Sequence, residues 1–125
     1  MKIFNSLTSK KEDFSPLKKD EISIYVCGMT VYDDCHIGHA RTFLSFDTIV
    51  RYMRFKGYKV NYVRNITDVE DKILVRSEEL NIEPSELTEK YIVEMDNDFH
   101  ALSMVVPDKE PRATEFIKEI ISYIE

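Results

Sequence analysis

From Ile22 to Cys27 apolar and polar residues alternate, with Ile22, Ile24 and Val26 on one side of the chain and Ser23, Tyr25 and Cys27 on the other. A period of two predicts a strand, and Gly28 breaks it with a turn. Past His36 the period lengthens: Phe43, Phe46, Val50 and Met53, thickened by Leu44 and Ile49, predict a long helix. Its opposite face carries Arg41, Ser45, Thr48, Arg51 and Arg54, and Gly57 supplies the stop. Alternation returns from Lys59 to Thr67, with Val60, Tyr62 and Arg64 on one side, which predicts a second strand. Strand, helix and strand in this order make a right-handed crossover and a parallel pair the expected topology.

The rest of the chain is read the same way. Ile3 and Phe4 suggest a short strand, the polar run Lys10 to Asp13 with Ser15-Pro16 reads as a turn, and residues 1–19 are expected to form a lead-in hairpin. A short helix is expected from Glu70 to Glu79, ending near Asn81. A longer one follows Pro84, with Leu87, Tyr91, Met95, Phe99 and Leu102 on its apolar face. Pro107 and Pro111 bracket a loop. Ile117, Ile120, Ile121 and Ile124 predict a last helix, which makes 84–125 mainly helical. That helix reaches Glu125 without a glycine, asparagine or basic turn, so the natural chain is expected to continue.

Composition narrows little. At 125 residues, 43% apolar and 32% charged, the chain is sized for one globular domain. A net charge of −6 argues against wholesale attraction to nucleic acid or anionic lipid, although a local basic patch is compatible with it. No apolar run has the length of a signal peptide core or a membrane span, and a cytoplasmic protein is expected. In that setting Cys27 and Cys35 are free thiols or metal ligands rather than a disulfide framework.

The chemistry concentrates where the first strand hands over to the first helix. In open α/β sheets that crevice binds anions, because the first helical N–H groups and the helix dipole both favour negative charge. His36-Ile37-Gly38-His39 places two imidazoles there, each able to donate to a phosphate oxygen, and Gly38 leaves room for a flat ring or a sugar. The plainer reading is that histidines at a helix start only line the turn. Cys27 ends the strand at the same mouth, whereas nothing about the position of Cys35 needs a thiol. A self-contained zinc site from Cys27, Cys35, His36 and His39 has suitable ligand types but poor spacing, because Cys35 and His36 are adjacent. Arg41, Arg51, Arg54, Lys56, Lys59 and Arg64, interleaved with aromatics, read as a solvated helix face or as a local RNA contact. Glu70, Asp71, Glu78 and Glu79 read as helix-surface charges, while the segment 67–71 lies at the carboxyl end of the second strand.

With these residues in view, the chain resembles the amino-terminal part of the cysteinyl-tRNA synthetases, class I aminoacyl-tRNA synthetases. The resemblance rests on Tyr-Val-Cys-Gly-Met-Thr-Val-Tyr-Asp at 25–33, His-Ile-Gly-His at 36–39 and Arg-Thr-Phe-Leu-Ser-Phe-Asp at 41–47. Tyr-Val-Arg-Asn-Ile-Thr-Asp-Val-Glu-Asp-Lys-Ile at 62–73 and Glu-Pro-Arg-Ala-Thr at 110–114 extend it. It implies an α/β, Rossmann-like nucleotide-binding domain with parallel strands followed by a helical segment, as a fragment of a larger catalytic domain. The implied reaction joins L-cysteine to ATP as cysteinyl-adenylate and passes it to tRNA(Cys), with Mg²⁺ accompanying ATP, in a monomer with no membrane association. By the same resemblance His36 and His39 are catalytic, His36, Gly38 and His39 hold ATP, Gly28 and Thr67 lie beside the cysteine, and Cys27 is one ligand of a Zn²⁺ ion. The other three zinc ligands are expected beyond residue 125, and the isolated fragment is expected to be inactive. Two rivals are the mycothiol-pathway cysteine ligase, whose counterpart of Cys35-His36-Ile37 tends to read Thr-His-Leu, and a non-catalytic nucleotide- or RNA-binding module.

Overall fold

A computed structural model describes all of residues 1–125. The alternating segment forms strand β3 (Glu21–Val26), preceded by an antiparallel ribbon of β1 (Lys2–Asn5) and β2 (Lys10–Asp13). Helix α1 (Ile37–Phe55) carries the chain across to β4 (Lys59–Arg64), which pairs parallel with β3 in the register Ile22↔Val60 and Val26↔Arg64. Helices α2 (Asp71–Leu80) and α3 (Pro84–Ala101) follow, and after a short 3₁₀ turn α4 (Ile117–Ile124) closes the chain. The result is a mixed helix and strand domain built on a parallel pair. No helix is long and apolar enough to cross a membrane.

Local chemistry explains the boundaries. Gly57 follows α1 at φ 89°, a conformation that costs residues with a Cβ, and Asn81 caps α2 at φ 54°, where asparagine is tolerated. Pro84 occupies the first turn of α3, where its missing N–H loses no helical bond.

Four expectations change. The polar run Lys10 to Asp13 is a strand, because it pairs with β1 in an exposed ribbon where neither face is buried and alternation carries no signal. The second strand stops at Arg64, three residues short of Thr67. On α1, Leu44 and Ile49 face outward, while Asp47 turns into the core beside Phe43, Val50 and Met53. The segment between Pro107 and Pro111 is more than a loop: Lys109 and Arg112 lie parallel to Val63 and Ile66 along the free edge of β4. The Arg64 and Ile66 N–H groups donate to the Lys109 and Pro111 carbonyls at 3.1 and 2.9 Å. Proline is accepted there because an edge strand needs only some of its N–H groups.

The core gathers Val26, Val31, Phe43, Val50, Tyr62, Ile73, Leu87, Tyr91, Met95 and Phe99. Within it lies Arg64, 4% exposed, its guanidinium 4.4 Å from the Phe99 ring centre and its Nε donating to Glu110 at 2.6 Å. The residues on the apolar side of α4 remain exposed.

Candidate functional site

The strand-to-helix crossing is built first by His36. Its backbone is extended (φ −120°, ψ 170°), and as the N-cap of α1 it accepts the Gly38 N–H on Nδ1 at 3.0 Å. His39, one turn on, returns the bond: its Nδ1 accepts the His36 N–H at 3.3 Å. This is a capping box made by imidazoles instead of the usual hydroxyl and carboxylate. It draws the two rings into a stack with centroids 3.8 Å apart and planes 15° from parallel.

The cap also fixes protonation. A nitrogen that accepts an N–H cannot carry a hydrogen, so in the neutral rings both Nδ1 atoms are bare and both hydrogens sit on Nε2. Burial, then the nearby His36, hold the His39 pKa below the ordinary imidazole value. Two Nε2–H donors therefore stand at the amino end of a 19-residue helix, whose dipole favours an anion. Gly38 is enclosed by the cap itself, since an added Cβ would lie 2.8 Å from a carbon of the His36 ring.

A second group assembles where β3 and β4 end. Val26 pairs with Arg64, and Thr30 pairs next with Thr67. Cys27, Gly28 and Met29 lie between these pairs on one chain, against Asn65 and Ile66 on the other, so the first chain bulges by one residue. Cys27, on the side of the strand opposite the buried Val26, is exposed, and the bulge brings Met29 back to the buried side. Gly28 passes so close to β4 that an added Cβ would sit 1.6 Å from the Asn65 carbonyl oxygen. Its N–H donates to Asn65 Oδ1 at 2.9 Å, and Asn65 Nδ2 reaches Thr67 Oγ1 at 3.2 Å. The Thr30 hydroxyl donates to Glu70, which makes that carboxylate a loop tie as well as the N-cap position of α2.

Gly28 and Thr67 are thus brought together beside Cys27, and His36, Gly38 and His39 form a compact cap. Cys35 belongs to neither group: its thiol points to Met29 Sδ at 3.4 Å, and burial, helped by Asp98, pushes its pKa up to about 11. Such a thiol behaves as a small apolar group. No three histidine, cysteine or acidic side chains gather where a metal ion would fit, so the four-residue zinc site from Cys27, Cys35, His36 and His39 is not formed. Cys27 is the exposed thiol, and alone it offers one ligand.

The basic run is mostly occupied. Arg51 pairs with Asp47 at 2.7 Å, Arg54 with Asp108 at 3.2 Å and Lys59 with Glu21 at 3.1 Å, while Arg64 is internal. An RNA-binding stripe needs free cations on one face, and these four are engaged. Sequence reasoning left Asn65 and Thr30 without a role and read Glu70 as a helix-surface charge, whereas it accepts from the Thr30 hydroxyl. The available signal was a run of polar side chains just past a strand.

These features define a class: an α/β domain with a histidine-capped helix terminus and a second polar cluster at the ends of a parallel strand pair. Residues 13–125 match the family model described as "tRNA synthetases class I (C) catalytic domain", and the chain belongs to that family. Over all 125 residues it is 56% identical to a protein of Aliivibrio salmonicida, 56% identical to one of Proteus mirabilis and 57% identical to one of Shewanella baltica. Each is named "Cysteine--tRNA ligase". The chain spans 27% of the length of each of these relatives.

Proposed function

We propose that these residues are the amino-terminal, Rossmann-like part of a synthetase catalytic domain, and that the complete protein activates L-cysteine with ATP and transfers it to tRNA(Cys). The observation that carries this reading is the stacked His36–His39 cap, with both Nε2–H groups free of the helix's own hydrogen bonds. In adenylate formation the cysteine carboxylate attacks the α-phosphate, an oxygen–phosphorus bond forms, and pyrophosphate leaves with the electron pair of the bond that breaks. Negative charge moves onto the leaving phosphates, and donors already aimed stabilise it without rearranging. His36 and His39 have that role, and Gly38 keeps the helix entrance free of a side chain.

Gly28 and Thr67 hold the cysteine, supported by their convergence on Asn65 beside the exposed Cys27. Cys27 suits one ligand of a Zn²⁺ ion whose other ligands come from outside these residues. When bound, that ion would favour a thiolate over a hydroxyl, which separates cysteine from serine more sharply than pocket shape does. Cysteine-dependent exchange of pyrophosphate into ATP by the complete protein tests the reading. Exchange with cysteine and none with serine is expected; no exchange with cysteine under any Mg²⁺ or Zn²⁺ supply would overturn it.

A further inference from the structure

The amide of Asn65 can face only one way. Gly28 N–H is a donor and has no lone pair to offer, so the atom 2.9 Å from it is the amide oxygen. The amide nitrogen must then point at Thr67 Oγ1, 3.2 Å away, and donate to it. A hydroxyl whose oxygen receives a hydrogen bond turns its own hydrogen elsewhere. No protein acceptor takes the Thr67 hydrogen, and its oxygen has no partner but Asn65.

From this geometry we infer that Asn65 is a positioning residue that locks the Thr67 hydroxyl as a donor toward the amino-acid ligand. Thr67 therefore offers its hydrogen to an acceptor atom of that ligand, its carboxylate or thiolate. The inference rests on the proposed cysteine-binding role of Thr67 and adds the polarity of the contact and the residue that sets it. The backbone makes the lock firm. Gly28 is pressed against the Asn65 carbonyl, and the Thr67 N–H and C=O are both bound, to Met29 and Val31 at 3.2 Å each. The amide is tied at both ends, to the Gly28 N–H and to Thr67 Oγ1, and Thr67 is held opposite Thr30.

Asn65→Asp is the incisive variant, because it keeps an oxygen for Gly28 N–H and replaces the amide donor by a second acceptor. The Thr67 hydroxyl must then turn inward to donate to the carboxylate, leaving only a lone pair facing the ligand. In the complete synthetase, pyrophosphate exchange should show KM for cysteine raised tenfold or more, with KM for ATP changed less than twofold. Thr67→Val should do the same, Thr67→Ser should restore the parent value, and Asn65→Asp combined with Thr67→Val should be no worse than Thr67→Val alone. Asn65→Ala, which removes both bonds without adding charge, is the second variant and should also raise KM for cysteine selectively. If Thr67→Val is defective while both Asn65 variants keep the parent KM, or if the double variant shows the product of the two single defects, the positioning role is overturned. If Thr67→Val keeps the parent KM, the cysteine-binding role of Thr67 falls and the inference falls with it.

Discussion

The Gly38 N–H donates to His36 Nδ1 at 3.0 Å, so the side chain that caps α1 is the one whose other nitrogen faces out from the helix end. Capping and the proposed phosphate contact are thereby joined in one ring, and His39 repeats the arrangement one turn later. Replacing either histidine by alanine in the complete enzyme should lower adenylate formation by about two orders of magnitude or more, since fixed donors act most strongly on the transition state. Cysteine binding should stay close to normal. Single-turnover pyrophosphate release checks this, and a near-parent rate in either variant would refute it.

Proton binding by His39 follows from the same stack. Burial and His36 lower its pKa below the ordinary value of 6.5, so the unfolded chain takes up the proton first as pH falls. The stability supplied by neutral His39 is complete above about pH 6.5 and drains away as pH drops through that value toward the lowered folded pKa. Histidine ring-proton shifts followed by NMR should show His39 titrating below a free imidazole, with its hydrogen on Nε2 at neutral pH.

Gly28→Ala should be far more damaging than Gly57→Ala. The first would drive a methyl group to 1.6 Å from a backbone oxygen, whereas the second meets nothing within 4 Å and suffers only its φ of 89°. Relief at Gly28 requires the two strand ends to part, at a cost of about 3 kcal/mol, against about 1 kcal/mol at Gly57. Chemical denaturation followed by circular dichroism ranks them, and equal losses would argue against the close approach.

Arg64 and Glu110 join the core to the edge segment. Glu110→Ala would leave the guanidinium, 4% exposed, without its anion, and should cost about 2–4 kcal/mol. Arg64→Met with Glu110→Leu should recover much of this, because methionine fills the space against Phe43 and Phe99 without a buried charge. Denaturation midpoints of the single and double variants decide it.

The two cysteines should part company chemically. With a pKa of about 11 against a reference of 9.0, Cys35 holds on the order of a hundredfold less thiolate than an ordinary cysteine at neutral pH. Timed iodoacetamide labelling read by mass spectrometry should modify the exposed Cys27 first and Cys35 only on unfolding. In the complete enzyme Cys27→Ser should reduce zinc content and the preference for cysteine over serine, while Cys35→Ser should leave both in place.

Period and punctuation alone located β3, α1, β4 and the helices α2 and α3, because burial of one face writes itself into alternation or three-four spacing, and glycine, asparagine and proline mark the ends. The motif at 36–39 was likewise visible as residues on a helix start. Tertiary structure alone decided what those residues do to one another. Neither the direction of the two Nδ1 lone pairs nor the one-residue bulge after Val26 has a sequence period. The burial of Arg64, which looked like one more surface cation, depended on Glu110 arriving along the edge of β4 from 46 residues away. A lead-in hairpin is expected over 1–19, but its second strand at 10–13 reads as a turn for the opposite reason, since an exposed pair of strands buries no face and so leaves no pattern to read. Local periodicity records which way a side chain points relative to its own segment; which partner it meets is set by packing between distant segments, and at this site those partners set each proton and each free hydrogen-bond donor.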